Sequence, residues 1–154
     1  MMMNRLVKTL LLTTTLILLV GCSNNVEKEQ KKAETKNETT IEKKETKQLS
    51  IQPLKIAEES INKETKIIKI DYKIKNISHK KFQVAANDFI IKVGSEYYYM
   101  GDGDNYADTI KAGGNSEGSG YYSVPKDTKK FTLMYQPLDN DERAQWDLTV
   151  PANK

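Results

Sequence analysis

The run Ile68-Lys69-Ile70-Asp71-Tyr72-Lys73-Ile74-Lys75 places an apolar residue at every second position. Successive side chains of a strand point to opposite faces, so this period buries one face and wets the other. A helix would scatter the same residues around its circumference, and the run therefore commits this part of the chain to a half-buried β-strand. Phe89, Ile91 and Val93 repeat the pattern, as do Phe131, Leu133 and Tyr135, and then Trp146, Leu148 and Val150. Turn residues separate the runs at Asn76-Ile77-Ser78, Gly94-Ser95, Gly101 to Asn105, Gly113-Gly114-Asn115 and Pro125-Lys126-Asp127. No stretch after residue 62 carries a helical stripe, and Glu58 to Lys66 offers at most one short helical turn.

Short strands punctuated by turns predict an all-β fold, a sandwich or a barrel. One polar face per strand favours antiparallel sheets, each wet on one side. The expected inward set is Ile56, Ile68, Ile70, Tyr72, Ile74, Val84, Phe89, Ile91, Tyr99, Tyr122, Val124, Phe131, Leu133, Trp146 and Leu148. These residues fall within 51–154, a length suited to one domain. That segment carries 15 basic and 15 acidic residues, so the net charge of +3 comes from the residues before it. A nucleic-acid partner is disfavoured by that balance.

The residues before 51 have a different character. Arg5 and Lys8 precede an apolar run from Leu10 to Val20, broken only by Thr13, Thr14 and Thr15. Basic start, apolar core and small residue at the junction describe a secretory signal over 1–21. Its 11 residues are too few to span a bilayer, which takes about 20. Residues 22–50 then read as Cys22 followed by a disordered, charged tether. Ser23 to Ser50 holds seven Lys and six Glu, with Val26, Ala33, Ile41 and Leu49 its only apolar residues. So little apolar surface cannot offset the entropy of folding. As a flexible spacer of 28 residues it would reach roughly 30 Å.

Leu19-Val20-Gly21-Cys22 resembles the lipobox of bacterial lipoproteins. The resemblance implies a diacylglyceryl thioether on Cys22, cleavage just before it, and a protein held on the outer, extracellular face of the cell membrane. Two acyl chains are enough for stable anchoring, where one is marginal. Cys22 is the only cysteine, so no intrachain disulfide can form.

A second resemblance lies in the domain. It is carried by Lys75-Asn76-Ile77-Ser78 ending a long strand, Asp88-Phe89-Ile90-Ile91, and Gly94 to Tyr99. The Gly113-Gly114 turn, Gly118 to Pro125 with its Val124-Pro125 end, and Phe131 to Tyr135 complete it. This order resembles the telokin-like, immunoglobulin-like domain common in Gram-positive lipoproteins, a family of unknown function. Where that family has Pro-Gly after the central strand, this chain has Ala112-Gly113-Gly114. The resemblance implies an immunoglobulin-like antiparallel β-sandwich outside the cell, and it brings no catalytic residues.

Side chains for catalysis are scarce. His79 is the single histidine and sits in the polar turn Ser78-His79-Lys80, so it would have to serve any Ser–His–Asp triad. Zinc sites built from Cys and His are excluded by count. A small carboxylate-dependent hydrolase stays open as the alternative, although no stretch singles out two acids. The acidic loop from Asp102 to Asp108 is the metal candidate, with Asp102, Asp104 and Asp108 as oxygen ligands for Ca²⁺. It lacks the Gly and Glu of a calcium-hand loop, having Ala107 and Gly113 at those places.

Tyrosines supply eight of the twelve aromatic residues. Consecutive tyrosines at 97–99 and 121–122 must show some rings to solvent. Tyrosine buries area at low entropic cost and keeps a polar tip, which suits recognition. Tyr98, Tyr106 and Tyr121 are the expected contact residues. The function expected from the sequence is a binding module for an envelope component: a protein, a peptide or wall glycan. A structural partner of another envelope protein is a variant of that reading.

Overall fold

In the computed structural model, which describes residues 40–152, the alternating run forms the centre of a strand over Thr65–Asn76. In chain order the strands are β1 (Lys44–Glu45), β2 (Leu49–Ile61), β3 (Thr65–Asn76), β4 (Phe82–Ala85), β5 (Phe89–Val93) and β6 (Glu96–Tyr98). They continue as β7 (Ala107–Ile110), β8 (Asn115–Pro125), β9 (Lys130–Tyr135) and β10 (Ala144–Thr149). A single 3₁₀ turn, η1 (Ala86–Asp88), precedes β5. All strand pairs are antiparallel. One sheet has the order β1-β2-β3-β8, the second β10-β9-β5-β6, and β4 pairs with β7 in a small ribbon.

The predicted period is realised along β3, where Ile68, Ile70, Tyr72 and Ile74 are all fully buried. Tyr72 stacks on Phe89 of the opposite sheet, with ring centroids 4.4 Å apart, and Phe89 in turn meets Tyr135 at 5.0 Å. Those contacts join the two inner faces into one core, so the fold is an antiparallel β-sandwich.

Three features differ from the sequence expectations. Tyr99 was placed inward, but it is 64% exposed, because β6 ends at Tyr98 and the chain leaves the sheet there. Tyr98 is the ring that packs against the core. The tether was expected to run to residue 50, yet β1 begins at Lys44 and Leu49 is fully buried. Thr46 closes the turn between β1 and β2, its Oγ1 accepting from the Leu49 amide at 3.0 Å. Glu142, 94 residues away, accepts from the Gln48 amide at 3.1 Å. Finally, Glu58 to Lys66 holds no helical turn. The end of β2 and the start of β3 meet there in a hairpin, with the Asn62 side chain accepting from the Glu64 and Thr65 amides. Residues 1–21, Cys22 and the tether up to residue 39 lie outside the described residues.

Candidate functional site

The two sides of the sandwich are finished differently. On the side of β8, the segment after β6 crosses to the other sheet and runs along the strand's outer edge. Met100 bridges to Tyr122, the Gly101 amide donates to the Tyr121 carbonyl, and the Tyr106 amide donates to the Ser119 carbonyl. Asn105 fixes the loop from both ends: its Nδ2 donates to the Gly101 carbonyl at 2.8 Å, and its Oδ1 accepts from the Tyr121 amide at 2.9 Å. The acidic loop is therefore an edge cover for β8.

Within that cover, Asp102, Asp104 and Asp108 are all exposed. Asp108 accepts hydrogen bonds from the Ser116 hydroxyl and from the Thr109 amide. Among the described residues no three carboxylate, imidazole or thiol groups converge on a metal-sized position. His79 is exposed, and the neighbouring Ser78 hydroxyl donates to Asn76 Oδ1 at 2.7 Å.

The three expected contact tyrosines do not share a surface. Tyr98 and Tyr106 are partly buried against the core. Burial holds the Tyr106 phenol above its ordinary value. Tyr121 lies on the outer face of its sheet, with the Lys69 ammonium 5.8 Å from its ring centre and Gly103 packed on the ring. Asp71, and after it Tyr121, raise Lys69 above the ordinary lysine value. The side chains here that are most open to solvent are those of Tyr97, Tyr99 and Met100. The alternation rule identified opposite faces correctly, but the sequence held no signal for which face the core would take.

The other side of the sandwich is open. Between β2, the segment ahead of β1 and β10 lies a groove of about 1000 Å³. Leu54 and Ile56 line one wall, Trp146, Leu148 and Val150 the other, and Ile41 the end. Leu54 is 45% exposed, whereas Trp146 is buried with its Nε1 donating to the Glu42 carbonyl at 2.7 Å. Glu42, Lys44, Lys55 and Asp147 bring charge to the same cleft, and apolar walls with polar groups set among them have the character of a binding site. Sequence reasoning placed Ile56, Trp146 and Leu148 inward but could not find the groove, which arises because neither β10 nor the latter half of β2 has a second neighbour.

A family model described as "Domain of unknown function (DUF4352)" matches residues 23–144. No curated protein matches the chain. Among solved structures, the chain is similar to ycdA of Bacillus subtilis subsp. subtilis strain 168, described as a "putative lipoprotein". The TM-score is 0.61 at 17% identity, over 71% of this chain and 39% of that one. This chain thus spans about two fifths of that protein's length. The yjhA protein of Bacillus subtilis is also similar, with a TM-score of 0.53 at 12% identity over 71% of this chain and 96% of its own. At these identities the likeness establishes the sandwich fold and no more.

Proposed function

Because this chain belongs to the DUF4352 family, whose domain has no known function, we propose from its own geometry that it is a lipid-anchored binding module of the cell envelope. The open apolar groove carries this reading. Leu54 in particular keeps nearly half its surface in water at the groove wall, where a partner would cover it. Support for the anchor comes from Leu19-Val20-Gly21-Cys22 after an apolar run, and from the likeness to ycdA. On the same support we read the sandwich as lying on the extracellular face of the membrane, toward an envelope protein, a peptide or wall glycan. We also read the sandwich as a telokin-like, immunoglobulin-like variant, on the support of its two four-stranded antiparallel sheets.

A hydrolase is the less favoured reading. The Ser78 hydroxyl is committed to Asn76 and Asp108 to Ser116, so both serve the local turns instead of a cleft. The full chain in detergent, immobilised and exposed to envelope extract and to purified wall glycan, tests the proposal. Retention of a ligand that falls at least about tenfold in Leu54→Arg is expected, a loss matching one buried leucine contact turned to a charge. Retention that ignores Leu54→Arg would place binding elsewhere and sink the reading.

A further inference from the structure

Most strand edges among the described residues are short or irregular. β1 has two residues and β6 three. The register of β2 slips between Pro53 and Lys55 and again between Glu58 and Ser60, which bends its free half away from regular pairing. β10 is different: six residues pair in unbroken register with β9 on one side, and its other side borders the groove.

Its hydrogen-bonding polarity can be read from one bond. The Val150 amide donates to the Lys129 carbonyl at 2.9 Å, continuing the ladder toward β9. Backbone groups alternate sides along an antiparallel strand, so the amides of Leu148 and Trp146 also face β9. Gln145, Asp147 and Thr149 then point theirs at the open edge. Among the described residues no hydrogen bond from another segment reaches those three amides. A free ladder thus runs beside an apolar floor of Trp146, Leu148 and Ile56.

We propose that the groove takes an extended peptide segment of a partner protein as an added strand on β10, with apolar side chains at alternate positions and a basic residue between them. This rests on the module reading above and names its ligand. Apolar residues of the added strand would enter the groove, and those between would lie on the outer face beside Gln145, Asp147 and Thr149. Asp147 is exposed, makes no ion pair among the described residues, and accepts only from the Thr132 hydroxyl at 2.7 Å. Lys92 and Lys130 line the same shallow surface but belong to β5 and β9, behind the edge. Asp147 is the charged group on the edge strand itself, and the side chain directly across from it is best a lysine or arginine. The same residue argues against a second copy of this chain. A symmetric β10–β10 pair centred on the edge would set Asp147 opposite Asp147.

Trp146 is the chain's only tryptophan and lines the groove, so its emission reports occupancy. The probe is a short synthetic peptide alternating valine with threonine, with lysine replacing the central threonine, titrated into the full chain in detergent. Saturable change is expected, about fivefold weaker when glutamate replaces that lysine. Asp147→Lys should reverse the preference. Thr149→Pro removes an outward amide at a position where an edge strand accepts proline, and should abolish binding while the unfolding midpoint holds. Gln145→Pro is the second variant if Thr149→Pro fails to fold.

No response to any alternating peptide, equal affinity for lysine and glutamate peptides, or binding untouched by either proline would each overturn the strand proposal. Leu54-dependent retention of an envelope ligand alongside such a result would leave the module reading standing. Loss of both would end the two together.

Discussion

Asn76 is fully buried and uses every side-chain hydrogen-bonding group it has. Its Nδ2 donates to the carbonyls of Lys80 at 2.7 Å and Ile110 at 2.9 Å, and its Oδ1 accepts from Ser78 Oγ and the Ser78 amide. Asn76→Ala would strand the buried Ile110 carbonyl, while the Lys80 carbonyl keeps the Ser78 hydroxyl as a donor at 2.9 Å, and should cost about 2–3 kcal/mol in a urea titration. The buried tyrosines make an unequal pair. Tyr122 donates to the Ala86 carbonyl at 2.9 Å, so its only proton is spent, and Tyr72 must be the donor in their 2.8 Å contact. Tyr122→Phe removes an acceptor and a donor and should cost about 2 kcal/mol or more; Tyr72→Phe removes one donor and should cost about 1 kcal/mol. Burial raises both phenols above their ordinary value near 10. For a group whose folded-state pKa is raised, the native state holds its proton longer than the unfolded chain. That stability is intact below about pH 10 and is lost as pH climbs above it. Unfolding free energy should therefore fall steeply past pH 10, and less steeply in Tyr122→Phe.

At the scale of elements, β8 is shaped by what crosses it. Gly118 lies opposite Tyr72 in register, and a Cβ there would overlap the base of the Tyr106 ring. The Tyr106 backbone is held on both sides, its amide donating to the Ser119 carbonyl and its carbonyl accepting from the Ala86 amide, so Gly118→Ala should cost about 1–3 kcal/mol. The penalty should shrink in a Tyr106→Ala background, a non-additivity that a double-mutant cycle by urea unfolding would measure. Much of this level was legible beforehand: the alternation from Ile68 to Lys75 located β3, and the later alternating runs located β5, β9 and β10. Leu49 and Ile51 were not all legible, because they follow a Lys- and Glu-rich stretch, and the contact that pins their turn comes from distant Glu142. Tyr99 misled because alternation gives opposite faces without saying which is inside. The groove was invisible for a related reason. An open edge is set by which strands pair, and pairing partners lie tens of residues apart.

For the whole molecule, the account joins an anchor ahead of the described residues to a sandwich closed along β8 and open along β10. The anchor has its own test: Cys22→Ala should move the protein from the membrane fraction to the medium, and unchanged membrane retention would refute it. The open edge is the claim on which the functional reading turns, and amide hydrogen exchange on the full chain in detergent tests it most directly. The amides of Trp146, Leu148 and Val150, directed at β9, should be strongly protected. Those of Gln145, Asp147 and Thr149 should exchange nearly as fast as the amides of exposed loops, giving a two-residue alternation along β10. Uniform protection across all six would mean that the edge is already paired, and would contradict the account.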